Sequence, residues 1–185
     1  MNTYTKEGTI KGELVIEGNL TLTGNLIVEK WIDVKGSIDC AGYSIKAGYS
    51  IEAGGYIKAS GYIKAGHYIK AGHYIEAGHS INAGGFINAG GFINAGGFIK
   101  AGDSYGISAG LSITAKTTIN CGLNIHAGIC TWKRTNDEEK TVTCTKLETG
   151  EVKYGILQET GVVESLSGKE VSVTVDGKTY TAVIK

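Results

Sequence analysis

Three histidines, His67, His73 and His79, stand six residues apart, and imidazole is the side chain that most often binds a transition metal or moves a proton near neutral pH. The segment around them repeats every six residues, so each histidine takes the same place in a successive copy of one unit. If each copy forms one side of a three-sided coil, the imidazoles diverge and cannot share an ion. We therefore expect corner histidines, no metal site and no cofactor.

Motifs that usually mark catalysis are absent from the sequence. It has no serine–histidine–aspartate elbow, no HExxH and no Walker-type phosphate loop. The four cysteines show no CxxC spacing: Cys40 and Cys121 take the place of small inward residues, and Cys130 and Cys144 flank a charged loop. A disulfide between the last two is the alternative to free thiols. We predict a non-enzymatic protein with reduced cysteines.

One hexad dominates the chain, with GGYIKA, GHYIKA and GGFINA among its variants between Gly42 and Gly102. Each unit has an isoleucine or leucine and, two places later, a second apolar residue that is mostly alanine. Both side chains therefore share one face of a short strand. Every step is six residues except two: one extra residue lies between Ile38 and Ile45, and two lie between Ile99 and Ile107. The isoleucines and leucines that mark the units stand at 14, 20, 26, 32, 38, 45, 51, 57, 63, 69, 75, 81, 87, 93, 99, 107, 113, 119 and 125.

Short strands separated by corner glycines predict an all-β fold, a three-sided parallel β-helix of about 18 residues per coil. Glycine follows most of the alanines and serves a corner where a Cβ would crowd or where a positive φ is needed. We assign residues 1–128 to this solenoid, about six coils long, with residues 1–9 as an N-terminal cap. The isoleucine ladder supplies its stability, because no coil buries its apolar side chains alone.

The remainder of the chain, residues 129–185, is charged and not repetitive. It contains two predicted strands around Thr149 and Gly150 and a hairpin signal, Asp176-Gly177, between alternating valines and threonines. We expect a small C-terminal antiparallel β-domain that covers the last coil.

Two sequence segments resemble known groups of proteins. The stretch GELVIEGNLTLTGNLIVEKWIDVKGSIDC and the I-x-A phrase resemble bactofilins over roughly residues 8–128, which implies a polymer-forming bacterial β-helix. The tandem hexads and the tail SGKEVSVTVDGKTYTAVIK resemble small proteins of phages and mobile elements. Hexapeptide acyltransferases place the small residue two positions before the aliphatic one, and the opposite order here argues against that left-handed family and favours a right-handed helix.

An 18-residue coil stacks every third hexad, so the outward residues after each isoleucine form three columns. Two of them place opposite charges on adjacent coils, and the third is a basic strip for which we expect the role of a solvated face rather than an anion track. The columns are Asp39, Lys58, Glu76 and Asn94; Asp33, Glu52, Lys70 and Asn88; and Lys46, Lys64, Asn82 and Lys100.

Aromatic residues precede the isoleucines and should also face outward. Stacking between coils is one role for such rings, with Tyr56, Tyr74 and Phe92 expected on one side and Tyr68 and Phe86 on a second. The other is an apolar surface for a partner or for a second copy of the chain. Tyr105, in the irregular segment Asp103–Tyr105, is added because loops on rigid scaffolds often carry function, although a tolerated slip of the repeat explains it equally. The candidate interaction residues are Tyr56, Tyr62, Tyr68, Tyr74, Phe86, Phe92, Phe98 and Tyr105.

Charge and targeting signals narrow the class of partner. Eighteen basic and eighteen acidic residues give no net charge, which disfavours nucleic acid, and no apolar run approaches the ~20 residues of a membrane helix. No signal peptide is apparent, so we expect a cytoplasmic protein without a membrane partner. Together with the phage resemblance, this predicts a protein that binds and inhibits a host protein or protein complex, as anti-CRISPR and other anti-defence factors do, and that forms a homo-oligomer such as a dimer. The alternative is a bactofilin-like structural polymer.

Overall fold

Short strands and sharp corners make up nearly all of the chain. The computed structural model describes the backbone of residues 2–4, 8–161, 170–175 and 178–183, and the side chains of residues 8–161. One short 3-10 helix, Glu138–Lys140, interrupts the strands of this part. The strands in chain order are β1 (Asn2–Tyr4), β2 (Gly8–Ile10), β3 (Leu14–Ile16), β4 (Leu20–Leu22), β5 (Leu26–Val28), β6 (Ile32–Val34), β7 (Ile38–Cys40), β8 (Ile45–Ala47), β9 (Ile51–Ala53), β10 (Ile57–Ala59), β11 (Ile63–Ala65), β12 (Ile69–Ala71), β13 (Ile75–Ala77), β14 (Ile81–Ala83), β15 (Ile87–Ala89), β16 (Ile93–Ala95), β17 (Ile99–Lys100), β18 (Ile107–Ala109), β19 (Ile113–Ala115), β20 (Thr118–Ala127), β21 (Thr141–Cys144), β22 (Lys146–Tyr154), β23 (Ile156–Glu159), β24 (Glu170–Val175) and β25 (Lys178–Val183).

Every third strand pairs in parallel, which builds a three-sided solenoid. Ile57 pairs with Ile75, and Ile63 pairs with Ile81, each 18 residues further along the chain. Face one contains β1, β4, β7, β10, β13, β16, β19, β21 and β23. Face two runs from β2 through β17 into the first part of β20, and face three runs from β3 through β18 into the second part of β20. The predicted parallel β-helix and its coil length are therefore confirmed.

The core is a stack of isoleucines and alanines, one pair per strand. The strand isoleucines from Ile32 to Ile125 are at most 1% exposed, and the alanines that share their strands are at most 3% exposed. Cys40 and Cys121 take alanine positions and are fully buried, as expected for a thiol acting as a small apolar group. Each fully buried isoleucine contributes about 1.5–3 kcal/mol to the stability of the fold. The ladder therefore offsets the conformational entropy that a glycine-rich chain loses on folding.

Crowding, and not backbone conformation, explains the glycines at the corners of the repeat. A Cβ on Gly66 would lie 1.9 Å from the carbonyl oxygen of Gly48, one coil earlier, and the φ of Gly66 is not in the left-handed region. Gly42 is different: its φ is +86° and nothing lies near a Cβ built on it. It lies in the turn that absorbs the extra residue after Ile38, so that the next strand pairs in register with β5 and β11.

Beyond residue 128 the chain first continues the parallel solenoid, and antiparallel pairing follows only later. Strand β21 pairs in parallel with β19 and with β23, and β22 pairs in parallel with β20. We expected antiparallel pairing here, with two strands on either side of Thr149 and Gly150. Instead β22 runs through both residues, because it follows the long β20 around a corner with shifts in register. Among the strands that the structure describes, antiparallel pairing occurs only between β24 and β25, and the turn residues Asp176 and Gly177 lie outside the described residues.

The N-terminal segment supplies the first rung of two faces. Strand β1 pairs with β4, and β2 pairs with β5, at the ends of their sheets. Of the predicted cap, residues 1 and 5–7 lie outside the described residues. With β21 and β23 at the other end, face one holds nine strands and is about 38 Å long, longer than the six coils expected from the hexads. In the part of the chain with described structure, no helix has the length and apolar character to cross a membrane.

Candidate interaction surface

Backbone hydrogen bonds fix the aromatic residues in vertical register. The amide of Ile57 donates to the carbonyl oxygen of Tyr74 at 2.9 Å, and the amide of Ile75 donates to that of Phe92 at 3.0 Å. Because isoleucine points inward, the residue before it points outward on the same strand edge. Rings 18 residues apart therefore lie one above another on the outside of the coil.

Column one is the ladder of Tyr56, Tyr74 and Phe92. The centroids of Tyr56 and Tyr74 are 4.9 Å apart with planes 4° from parallel, and those of Tyr74 and Phe92 are 4.7 Å apart at 8°. This stack is the one predicted from the hexads. Burial raises the pKa of the Tyr74 hydroxyl, with the neighbouring Tyr56 as a second cause. The ring therefore stays neutral across the physiological range.

Column two contains Tyr68 and Phe86, whose centroids are 4.9 Å apart with planes 1° from parallel. The Tyr68 hydroxyl donates to Glu52 Oε2 at 3.3 Å. Tyr105 lies close by: its exposed ring shares a groove with Tyr68 and Phe86, because the two-residue insertion carries it out of the regular corner. The structure thus brings Tyr105 into the same surface as column two.

Column three is incomplete. Tyr62 and Phe98 belong to it, but Ser80 takes the position between them and leaves the two rings without a stacking partner on their facing sides. Tyr62 is 43% exposed and Phe98 is 39% exposed, whereas Tyr56 and Tyr74, which stack on one another, are more deeply buried. The missing ring opens a groove of about 390 Å³.

Trp132 and Leu111 extend column one and were not among the residues predicted from sequence. They line a groove of about 590 Å³ with Tyr74 and Phe92. Trp132 is 59% exposed and its ring lies beside Gly110, where glycine leaves room for it. A tryptophan within an otherwise charged loop was the available signal, but no repeat places that loop on any face.

The loop that carries Trp132 is held by its own polar contacts. The Glu139 amide donates to Asn136 Oδ1 at 2.8 Å, and the Asn136 amide donates to the Glu139 carboxylate at 3.3 Å. Lys133 pairs with Glu139 and is the main cause that lowers the pKa of that carboxyl, with the Asn136 amide second. Thr135 Oγ1 donates to the carbonyl oxygen of Gly128 at 3.2 Å and ties the loop to the last corner.

The charged columns have the predicted order. Lys58 pairs with Glu76 at 3.5 Å, and Lys70 pairs with Glu52 at 2.8 Å, each across one coil. The hydrogen bond to Glu52 is the main cause that raises the pKa of Lys70. Such exposed pairs contribute about 0.2–1 kcal/mol each. On the third column, the described carboxylates form no ion pair with its three lysines, Lys46, Lys64 and Lys100.

The three repeat histidines lie at three different corners. The amide of His67 donates to Tyr49, that of His73 to Gly55 and that of His79 to Gly61, so each imidazole belongs to a separate column. The ring of His67 lies 5.4 Å from that of Tyr49, at 53°. Among the described residues, no group of three side chains could hold a metal ion.

All four cysteines are free, and three of them are buried. Desolvation raises the pKa of Cys40 to about 11 and also raises the pKa of Cys121 and of Cys144. Cys130 is only half-buried, at the start of the Trp132 loop. The buried thiols are therefore both inaccessible and protonated near neutral pH, since the thiolate is the reactive form.

Native protein is expected to react with one equivalent of iodoacetamide at pH 8, at Cys130, and with four equivalents in denaturant. Peptide mapping by mass spectrometry locates the labelled residue, and the variant Cys130→Ser is the control that should label at no site when folded. Rapid native labelling of Cys144 would contradict the burial of that thiol in β21, which pairs with the last rung of face one, β23.

No protein-family model, curated protein or solved structure matches this chain. The resemblances to bactofilins and to phage proteins therefore rest on the sequence segments themselves. The protein is a parallel β-solenoid that displays two stacked aromatic columns, one interrupted column and a groove lined by Trp132.

Proposed function

We propose that the chain is a non-catalytic interaction protein, of phage or mobile-element origin, that binds and inhibits a host protein or protein complex. The observation that carries this function is the set of aromatic rings outside the core. Seven of them lie in fixed register as three columns, one on each face of the solenoid. Tyr105 adjoins column two and Trp132 adjoins column one, so the aromatic surface surrounds the coil. A phenylalanine ring gains nothing from water, so Phe86 and Phe98, both more than a third exposed, favour a contact surface.

Rigid presentation supports a binding role. Aromatic residues dominate the energetics of protein interfaces when they are fully desolvated. Here each outward ring is held by a backbone that pairs with the coils above and below, so little conformational freedom remains to be lost on binding. The arrangement also supports a role without catalysis, since the histidines diverge and three acids of the charged columns, Asp33, Glu52 and Glu76, pair with lysines.

Replacing Phe86, Phe92 and Phe98 together by serine is expected to abolish capture of the host partner. The measurement is a pull-down from bacterial lysate with the tagged full-length chain, compared by quantitative mass spectrometry. A protein that wild type captures should fall at least tenfold with the triple variant. Light scattering of the same variants tests whether a dimer forms through this surface, in which case the mass should halve.

The matched control replaces exposed apolar residues that belong to none of the three aromatic columns, Val15→Ser in β3 and Ile27→Ser in β5, which should leave capture and mass unchanged. Circular dichroism shows whether each variant keeps its strand content. A folded triple variant that captures the same protein as wild type, with the same mass, would reject the aromatic surface as the binding site.

A bactofilin-like polymer is the second candidate, favoured by the last rung of face one. Within the described residues, β23 pairs on one side only, with β21, and all four of its residues are exposed, Ile156 and Leu157 among them. A strand edge of this kind can pair with the first rung of another copy. Negative-stain microscopy separates the candidates, since a polymer forms filaments that Leu157→Pro should shorten, whereas a discrete interaction protein forms none.

A further inference from the structure

The gap in column three has the dimensions of one missing ring. Stacked rings in the other columns are 4.7–4.9 Å apart. Tyr62 and Phe98 are two rungs apart, about 9.6 Å at the usual spacing of strands. A planar ring placed over Ser80 would therefore stack on both of them at the distance that the native ladders use. The groove at this point is lined by Tyr62, Ser80 and Phe98 along one side.

A polar position lies beside the gap, two residues further along the same strand. Asn82 faces outward there, with Lys64 in register on the coil before and Lys100 on the coil after. The described carboxylates leave both ammonium groups without an ion pair. Asn82, Lys64 and Lys46 line the same groove as the two rings. An anion above Asn82 would meet positive charge on two sides.

We infer that this groove binds an extended segment of a partner protein that carries an aromatic residue and, two positions away, an aspartate or glutamate. Alternate residues of an extended strand point the same way about 6.6 Å apart, and the same spacing applies to Ser80, which precedes β14, and Asn82 within it. The ring fills the missing rung and the carboxylate lies between Lys64 and Lys100. This inference rests on the proposed function and specifies the chemistry of the partner.

A second copy of this chain does not supply such a segment from its own ladder. Tyr74 and Glu76 have the required spacing, but Tyr74 is stacked between Tyr56 and Phe92, and Glu76 pairs with Lys58.

Three other pairs in the chain have the same spacing: Glu29 with Trp31, Trp31 with Asp33, and Asp103 with Tyr105. Glu29 and Trp31 span the bent corner between β5 and β6, and Asp33 pairs with Lys35 at 2.8 Å. Asp103 and Tyr105 lie in a turn that the Tyr105 amide closes by donating to the carbonyl oxygen of Gly102 at 3.0 Å. None of these pairs combines an extended backbone with an unpaired acid, so the occupant is a different protein.

The variant Ser80→Phe fills the gap with the chain's own ring and should block the groove. The neighbouring ladders already carry rings directly stacked on one another, so the coil accepts a ring at this position. The matched control is Ser44→Phe, the same change in the same column one coil before Tyr62, which leaves the gap open. Ser80→Phe removes the hydrogen bond that the Phe98 amide donates to Ser80 Oγ at 3.3 Å, and Ser44→Phe removes the equivalent bond from the Tyr62 amide at 3.1 Å. Stacking of the new ring on two others offsets this loss, so the thermal stability of Ser80→Phe should stay close to that of wild type.

Titration of the ¹⁵N-labelled full-length chain with the peptide STFTETS, followed by NMR, tests the inference. We expect shifts confined to amides around Tyr62, Ser80, Asn82 and Phe98, a loss of affinity of about tenfold or more in Ser80→Phe, and wild-type affinity in Ser44→Phe. The peptide STFTQTS should bind about two- to fivefold more weakly, and added salt should remove that difference.

Several outcomes would overturn the inference: no localised shifts at millimolar peptide, equal affinity of the two phenylalanine variants, or tighter binding of adenosine monophosphate than of the peptide at the same amides. The proposed function fails separately. If Phe86→Ser with Phe92→Ser abolishes capture of the lysate partner while Ser80→Phe does not, the interaction function stands and the groove is not its site. If the peptide binds the groove but wild type captures no partner that depends on the columns, the groove is a peptide-binding site and the proposed interaction function fails.

Discussion

Gly66→Ala is expected to lower the free energy of unfolding by about 3 kcal/mol or more, although it adds a single methyl group at the surface of the coil. The added Cβ would meet the carbonyl oxygen of Gly48 at 1.9 Å and its carbonyl carbon at 3.0 Å. Both are backbone atoms, so no side chain can rotate away. The corner must open, which weakens the hydrogen bonds that stack this coil on the previous one.

Gly66 belongs to a column of glycines at one corner of the solenoid, and the other members of the column are crowded in the same way. Gly48, Gly84 and Gly102 would each place a Cβ 1.9–2.1 Å from a carbonyl oxygen one coil earlier. A change at one rung therefore disturbs contacts that every rung repeats. In a solenoid, stability is shared between neighbouring repeats, so a broken interface in the middle divides the molecule.

Urea unfolding followed by circular dichroism measures the effect of Gly66→Ala, with Gly91→Ala as the matched control. A Cβ on Gly91 lies 3.2 Å from the nearest atom, and His73 holds the equivalent place one coil earlier. Gly91→Ala should change the free energy of unfolding by less than about 1 kcal/mol, because alanine also restricts the unfolded chain. Equal stability of the two variants would show that the corners are not limited by crowding.

Ile75→Ala is the second large effect, with an expected loss of about 2–5 kcal/mol. Ile75 is fully buried and lies in register between Ile57 and Ile93 on face one. Removing three carbons leaves a cavity between two rungs whose backbone spacing is set by hydrogen bonds. The stack cannot collapse to fill it, so the cost belongs in the upper part of that range.

Ile27→Ala is the control for Ile75→Ala, since it makes the same change at the outward middle position of β5, where the side chain is 36% exposed. Its cost should stay below about 1 kcal/mol. Hydrogen exchange gives a second measurement: amides of β10, β13 and β16 should exchange faster in Ile75→Ala and remain protected in Ile27→Ala. Similar losses in the two variants would contradict the inward isoleucine ladder.

The positions of the columns were predictable because the repeat allows only one register between neighbouring coils. Six-residue units that keep isoleucine inside must stack every third unit, and pairs such as Lys58 with Glu76 follow from that count. The outward rings follow in the same way, since they precede the buried residue. The break at Ser80 is also visible in the sequence, but its meaning as a groove needs the rungs on either side.

Strand direction after residue 128 was not predictable from alternation. Val142 and Cys144 alternate with polar residues as they would in an antiparallel strand, yet Val142 pairs in parallel with Ile113 on the last regular coil. Period-two patterns are the same for both directions, so the neighbouring rung decides between them.

Local sequence thus determined the elements of this protein, namely which residues turn inward, where corners fall and how far apart equivalent side chains lie. Three features depend on tertiary contacts alone: Gly66 must lack a side chain, Trp132 lies beside column one, and β21 to β23 extend the coil. The reason is physical: periodicity is a property of one strand, whereas close approach, groove and pairing direction are properties of two coils in contact.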